Sequence, residues 1–157
     1  MKKISLIFLC TIIWCQDTIA EGMIGTELIS YLRNNYKTSV TLGYDNARDE
    51  LYANVDIQDG LVKGIYTNFS VSLPNGVDPS SFLYVNGMNC EHIWPQSMYA
   101  GSEPMKSDMH HLRPCKENVN SSRGNKPFGE IIDSQTDNWY WQDQASSNIP
   151  SSNINEY

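Results

Sequence analysis

The sequence is poor in basic residues and contains no long apolar stretch. Of its 157 residues, 11 are lysine or arginine and 18 are aspartate or glutamate, so the formal net charge is −7. An acidic chain gains little from long-range attraction to a polyanion, and the total charge therefore argues against that class of ligand. The sequence also lacks internal repeats and long low-complexity segments. Its length corresponds to one domain.

The longest apolar run lies at the N-terminus, where Ile4–Cys15 comprises twelve residues. A membrane-spanning helix needs about 20 residues, so this run is too short to cross a bilayer. It follows Lys2 and Lys3 and precedes the small residue Ala20, a pattern typical of a secretory signal peptide. We therefore predict a signal peptide over residues 1–20 and a secreted or periplasmic domain over residues 21–157, without membrane contact after cleavage. An uncleaved N-terminal anchor is the alternative.

Cysteine is scarce, and cleavage after Ala20 would leave only Cys90 and Cys115 of the four cysteines. In an oxidising exterior, two remaining cysteines are a natural disulfide pair. If the segments near 90–94 and 109–115 form an antiparallel hairpin, Cys90 could lie opposite Cys115. The same pairing would place His111 opposite Trp94. The sequence thus predicts a disulfide at the open end of a hairpin.

Positive charge is concentrated in one window. Without residues 1–20 the chain has 9 basic and 17 acidic residues, a net charge of −8. Five of those basic residues fall between positions 106 and 126: Lys106, Arg113, Lys116, Arg123 and Lys126. One face could therefore be locally positive on an acidic body, although a solvated charged hairpin would show the same pattern.

Apolar periodicity, β-branched runs and turn residues predict a mixed set of helices and strands. The predicted helices are Thr26–Tyr36, Gly43–Asn54 and Glu117–Gly124, and the predicted strands are Leu61–Val71, Cys90–Trp94 and Met109–Arg113. From Ser134 onward the chain is rich in serine, asparagine and glutamine, and this composition predicts no element.

Three neighbouring blocks carry the residues that hydrolytic chemistry needs. They are Asn89–Pro95, Met105–Leu112 and Asn118–Asn125, which correspond to a strand, a loop with a second strand, and a helix. Hydrolysis of a phosphodiester needs a base for water and a cation to offset charge on the phosphate and the leaving oxygen. Neutral imidazole suits the first task. A carboxylate with an amide oxygen suits the second, because hard oxygen ligands favour Mg²⁺.

These blocks resemble the endonuclease I family of ββα-metal nucleases, whose members are secreted or periplasmic. The similarity extends from about Leu28 to the end of the sequence. It is carried by Glu91-His92 followed by Ser-Asp-Met-His-His-Leu and Val-Asn-x-x-Arg-Gly-Asn, in this order and spacing. Further matching segments are Tyr44–Tyr52, Ile65–Thr67 and Pro127–Glu130.

The resemblance implies an α+β fold, with a ββα-metal core and N-terminal helices. It implies that His92 is the general base and that Glu91 and Asn120 are the metal ligands. The cofactor would be Mg²⁺, or another divalent cation such as Ca²⁺ or Mn²⁺. The expected activity is endonucleolytic cleavage of DNA, with RNA as an open second substrate, by a monomer with little sequence specificity.

The sequence departs from the family pattern in three places. Lys106 occupies a position where some relatives have a glutamate that helps at the metal. The loop after Trp94 lacks the arginine that contacts phosphate in some relatives, and Arg123, three residues beyond Asn120 on a helix, is the substitute candidate. Relatives also continue further, so residues 21–157 are expected to lack a C-terminal part and to expose an apolar patch, formed by Phe128, Ile131, Ile132, Trp139, Tyr140 and Trp141.

Two other readings of the same residues are open. Cys90, His92, Cys115 and one of His110 and His111 could form a Cys₂His₂ zinc site that stabilises a binding module. The chain could also be an inactive remnant of a nuclease. His110 and His111 themselves are expected on opposite faces of a strand, so at most one of them would face the site.

Overall fold

The computed structural model describes residues 19–37 and 40–148. The predicted signal peptide falls almost entirely on residues 1–18, which lie outside the described residues. Among the residues described, no helix is both long and apolar enough to span a membrane. The chain divides into two compact units, one ending at Lys37 and one beginning at Thr38.

The described part of the first unit, residues 19–37, contains one helix, α1, over Gly25–Tyr36. The predicted helix Thr26–Tyr36 is therefore confirmed. Its apolar side chains Ile29 and Leu32 remain 57% and 38% exposed, and no residue of this helix is buried. The amphipathic pattern thus predicted the helix correctly, although none of the residues of the helix is buried.

The second unit begins with helix α2, Tyr44–Glu50, continued by a π-helical turn over Leu51–Val55. A three-stranded antiparallel sheet follows, made of β1 (Ile57–Gln58), β2 (Leu61–Lys63) and β3 (Ser70–Ser72). The prediction of one strand over Leu61–Val71 is wrong, because the segment folds back on itself. Asn68 adopts a positive φ of 57°, and the Gly64 amide donates to the Phe69 carbonyl across the turn. Helix α3, Pro79–Val85, comes next.

The centre of the second unit is a strand pair followed by a helix. Strand β4 (Met88–His92) pairs antiparallel with β5 (Leu112–Lys116), and helix α4 (Glu117–Arg123) follows directly. The predicted helix is confirmed, whereas both predicted strands are shifted along the chain. Residues 109–111 form a turn instead, because the Asp108 carboxylate accepts from the His110 amide and the His111 amide donates to the Asp108 carbonyl. The α+β architecture with a ββα core agrees with the expectation.

The predicted disulfide between Cys90 and Cys115 is wrong. The register places Cys90 opposite Pro114 and Asn89 opposite Cys115, one residue away from the expected pairing. Because strand side chains alternate between faces, this offset sends the two thiols to opposite faces of the strand pair. Both cysteines are free and buried. The same offset pairs Ile93, not Trp94, with His111, since the Ile93 amide donates to the His111 carbonyl.

The hydrophobic core lies on one face of β4–β5. It is formed by buried residues from α2 with its π-helical turn, β2, α3 and this face of the strands: Ala47, Leu51, Tyr52, Val62, Leu83, Met88, Cys90 and Leu112. The opposite face is covered by α4, whose Val119 is buried. The strand pair is therefore a layer between the core and α4.

The segment after α4 is less well packed. Phe128, Ile131 and Ile132 are 63%, 66% and 65% exposed, as the predicted apolar patch requires. Trp139, Tyr140 and Trp141 are half-buried instead, because they form strand β6, which pairs with β7, Gln144–Ser146. This hairpin is attached to the turn after β2, since the Gln142 amide donates to the Thr67 carbonyl at 2.7 Å. The polar composition gave no indication of it.

Candidate active site

The four residues selected from the sequence line one cavity of about 290 Å³ at the end of strand β4. Glu91 and His92 come from the strand, and Asn120 and Arg123 from helix α4. Loop residues 95–97, just after β4, complete the same wall. The ββα arrangement therefore brings together groups separated by about thirty positions along the chain.

Glu91 is a buried carboxylate, 2% exposed, held on the α4 side of the strand. The Tyr66 hydroxyl donates a hydrogen bond of 2.7 Å to its Oε1, and an Arg123 Nη1 lies 3.3 Å from the same oxygen. Hydrogen-bond donors and a cation offset part of the hydration that a carboxylate loses on burial. Tyr66 was not selected from the sequence, although it lies in a segment that supports the family resemblance.

Asn120 is oriented by both hydrogens of its amide group. Its Nδ2 donates to the Asn89 Oδ1 at 2.8 Å and to the Cys90 carbonyl at 3.2 Å. With the nitrogen turned toward β4, the remaining Oδ1 is the acceptor end of the amide. Since Asn120 also lines the cavity, its oxygen is a suitable ligand beside the Glu91 carboxylate.

His92 is the last residue of β4 and faces the core side of the strand. Its Nε2 lies 3.0 Å from the Lys106 carbonyl oxygen, which can only accept, so Nε2 carries the hydrogen. The lone pair is then on Nδ1, which lies 3.3 Å from the Gln96 amide nitrogen in the cavity wall. Burial lowers the pKa of His92; the hydrogen bond to the Lys106 carbonyl raises it in part, and the charges of His111 and Lys106 lower it further. The net shift favours the neutral imidazole, which can accept a proton at Nδ1.

Glu91 and His92 can share one site, although their side chains alternate in direction, because His92 is the last residue of strand β4. Glu91 and His92 point to opposite faces of β4, as expected of consecutive strand residues. Both still reach the cavity, which opens where the strand stops. The chain continues through Pro95 into a 3₁₀ helix over Gln96–Met98. Because the strand has ended, side chains from its two faces can reach the same cavity.

Arg123 is engaged with the strand end. Its guanidinium donates to the His92 carbonyl at 3.3 Å and to the Ile93 carbonyl at 2.8 Å, in addition to the Glu91 ion pair. The Phe128 ring lies 4.9 Å from its Cζ, and the side chain is only 12% exposed. Arg123 therefore joins α4 to β4; a contact between Arg123 and phosphate stays a prediction.

His110 and His111 differ in their distance from the site. The His111 ring centroid lies 5.6 Å from that of His92, and its Nε2 donates to the Met105 carbonyl at 2.7 Å. The His110 side chain is 97% exposed and pairs with Asp108. His111 is therefore the one beside the site. They lie in a turn, so strand alternation is not what separates them.

Lys106 contacts the site mainly through its backbone. Its carbonyl accepts from His92, while its ammonium lies 5.4 Å from the Tyr44 ring centroid. The Tyr44 ring in turn lies 5.3 Å from the His92 ring. The hydrogen bond to the imidazole uses only the main chain of Lys106. A lysine is therefore compatible with this position, where some relatives have a glutamate.

The donor set fits a hydrated hard cation and does not fit structural zinc. Within residues 19–37 and 40–148, no group of three or more His, Cys, Asp or Glu side chains is placed to hold a metal ion. The Cys₂His₂ alternative fails because Cys90 and Cys115 lie on opposite faces of the strand pair. Glu91 and Asn120 provide one carboxylate and one amide oxygen, and Mg²⁺ is commonly held by one or two such ligands while keeping several waters.

Comparison with known proteins identifies the family of this chain. The chain is 34% identical over 115 residues to the "Extracellular ribonuclease" of Bacillus subtilis (strain 168), an alignment that covers 69% of this chain and 38% of the relative. The chain thus spans well under two thirds of that relative's length. No solved structure gave a significant match. The profile of the family described as Endonuclease I matches residues 24–157. The chain therefore belongs to the endonuclease I family.

Proposed function

We propose that this protein is a secreted, divalent-metal-dependent endonuclease that hydrolyses phosphodiester bonds in DNA and RNA with little sequence specificity. One observation carries the proposal: Glu91, His92 and Asn120 meet at one cavity, with the proton-accepting Nδ1 of His92 directed into its wall. The family membership agrees with it, because endonucleases define the family. The proposed form in solution is a monomer.

His92 would act as the general base. Its Nε2 hydrogen is held by the Lys106 carbonyl, so Nδ1 takes the proton as water attacks the phosphorus and the bond from phosphorus to the leaving oxygen breaks. Glu91 and Asn120 would hold the metal. When bound, the metal offsets negative charge on the phosphate and on the leaving oxygen. Burial lowers the pKa of His92 and so favours the neutral imidazole that a general base needs.

The substrate is proposed from the chemistry of the cavity. Its lining residues offer groups suited to a phosphate and to the water that attacks it, and phosphate contacts carry no sequence information. RNA is included because the relative from Bacillus subtilis is named a ribonuclease. Export is proposed from the signal-peptide pattern of residues 1–20, and the name of the same relative supports it.

The direct test is cleavage by the purified protein. We expect it to nick supercoiled plasmid and to degrade single-stranded RNA with Mg²⁺, and to stop when EDTA is added. Parallel reactions with Ca²⁺ and Mn²⁺ identify the preferred ion. The His92→Ala variant, purified identically, controls for contaminating nucleases.

A folded protein that cleaves neither nucleic acid with any of these ions would contradict the proposal and favour an inactive remnant. Export is tested separately by sequencing the N-terminus of the secreted product. A mature chain that begins at Glu21 is expected, and retention of Lys2 and Lys3 would contradict cleavage.

A further inference from the structure

The loop that follows β4 carries exposed aromatic side chains next to the cavity. Gln96 and Ser97 line the cavity, and Trp94 and Tyr99 lie on either side of them in the chain. Trp94 is 52% exposed and Tyr99 is 88% exposed. Tyr99 is far more exposed than a large aromatic side chain usually is, and Trp94 is about half-exposed, so the loop that lines the cavity through Gln96 and Ser97 offers an aromatic binding surface.

This loop is held in place by its own hydrogen bonds. The Trp94 indole donates to the Met98 carbonyl, and the Met98 amide donates to the Pro95 carbonyl at 2.8 Å. Asn125, just beyond helix α4, donates from its side chain to the Ser97 hydroxyl at 3.2 Å. The next residue after Tyr99, Ala100, is completely buried and anchors the far end. The two aromatic residues are therefore carried by a loop that is held at several points.

Tyr99 also has an unfavourable backbone conformation. Its φ is 82°, in the left-handed region that L residues with large side chains rarely adopt. Glycine or asparagine would satisfy this position with less strain. A strained and almost fully exposed tyrosine contributes little to packing, which points to a role for the ring in binding.

Nucleic acid bases are the ligands that suit such a surface. A strand with one phosphate in the cavity places its neighbouring bases around the cavity rim, and every base offers a flat face for stacking. Duplex bases are already stacked on each other, whereas single-stranded bases are available. Stacking also supplies affinity that does not depend on charge, which is useful to a protein with a net charge of −7.

We propose that Trp94 and Tyr99 form a stacking platform for the bases of single-stranded nucleic acid next to the cleaved bond. The platform rests on the proposed function in one respect, namely that a phosphate of the strand lies in the cavity. It makes single strands better substrates than duplexes, without base-specific recognition.

Binding without cleavage tests the platform. Fluorescence anisotropy is measured with labelled oligothymidylate, oligouridylate and an abasic strand of equal length, in EDTA so that no cleavage occurs. The key variant is Tyr99→Gly, which removes the ring and suits the positive φ. Tyr99→Phe keeps the ring, and Tyr84→Ala removes a tyrosine that is 59% exposed on α3, outside the cavity lining.

We expect Tyr99→Gly to weaken oligonucleotide binding by roughly 5- to 150-fold, the loss typical of one stacked base. Tyr99→Phe and Tyr84→Ala should bind like the parent. The parent should bind the abasic strand at least as weakly as Tyr99→Gly binds the base-bearing strands, because an abasic strand cannot stack on either ring. Equal affinity of parent and Tyr99→Gly, or of base-bearing and abasic strands, would overturn the platform. Failure of the proposed function is distinguishable, since it shows as absence of cleavage with Mg²⁺ while binding persists.

Discussion

The two faces of strand β4 have different chemical roles. On the core side, Cys90 lies within reach of the Tyr44 and Tyr52 hydroxyls in an apolar environment. On the α4 side, Asn89 and Glu91 accept hydrogen bonds from polar side chains. One strand thus joins a hydrophobic core to a polar site, using only the alternation of its side chains.

This separation keeps the proposed base apart from the proposed metal ligand. Glu91 contacts Tyr66 and Arg123, whereas His92 contacts the Lys106 carbonyl and Gln96. A carboxylate bonded to the imidazole would raise its pKa, while burial on the core side lowers it. The two faces should therefore respond differently to mutation.

The largest expected effect separates the two faces directly. His92→Ala should reduce the rate of plasmid cleavage by about 10²- to 10⁴-fold and leave metal binding nearly unchanged, because it removes only the base. Glu91→Ala and Asn120→Ala should weaken metal binding. Plasmid cleavage and calorimetric titration with Mn²⁺ measure the two quantities, with circular dichroism as the folding control. A His92→Ala variant that cleaves as fast as the parent would refute the assigned mechanism.

A smaller effect should follow from Tyr66→Phe on the α4 side. The change removes the hydroxyl that orients Glu91 and keeps the ring beside Phe128. Loss of such an orienting partner typically costs about 10- to 100-fold in metal affinity. Tyr140→Phe, which removes a hydroxyl bonded to Ser122, is the matched control. Equal metal affinities in these two variants would show that Tyr66 does not position the carboxylate.

The adjacent histidines provide a comparable test on the core side. His111→Ala removes the donor to the Met105 carbonyl, next to the Lys106 carbonyl that orients His92. Misplacement of the base should lower kcat by about tenfold or more with little change in KM. His111→Gln, which keeps a donor, should recover part of the loss, and His110→Ala should have almost no effect. Identical kcat values for His111→Ala and His110→Ala would exclude this positioning role.

The smallest effect concerns the thiols on the two faces. Burial raises the pKa of Cys90 to about 11 and that of Cys115 to about 12, so both thiols remain protonated at neutral pH. We expect them to react with Ellman's reagent only after unfolding, since the thiolate is the reactive form. A reducing agent should not change the melting temperature. A non-reduced mass that is two hydrogens lighter would instead reveal a disulfide and a different register.

The candidate site was more predictable than the strands that carry it. Glu91, His92 and Asn120 lie in the motifs that carry the family resemblance, so the sequence alone selects them as candidates, and the structure places all three at one cavity. The register of β4 and β5 depends on the loop between them, and no local sequence pattern specifies the turn that Asp108 forms in that loop. A one-residue offset followed, and with it the wrong cysteine pairing. The hairpin β6–β7 was missed because its polar composition resembles that of an unstructured segment.

The sequence by itself determined the family, the helices α1 and α4, and the residues available for chemistry, because periodicity and residue type are local properties. Only the tertiary structure decided which nitrogen of His92 bears the hydrogen, since that depends on a carbonyl fourteen residues away. It likewise decided that the Tyr66 hydroxyl donates to Glu91 and that Arg123 donates to the Ile93 carbonyl at the strand end. Hydrogen-bond partners are chosen by proximity in space, and proximity is fixed only when the strands, loop and helix have packed together.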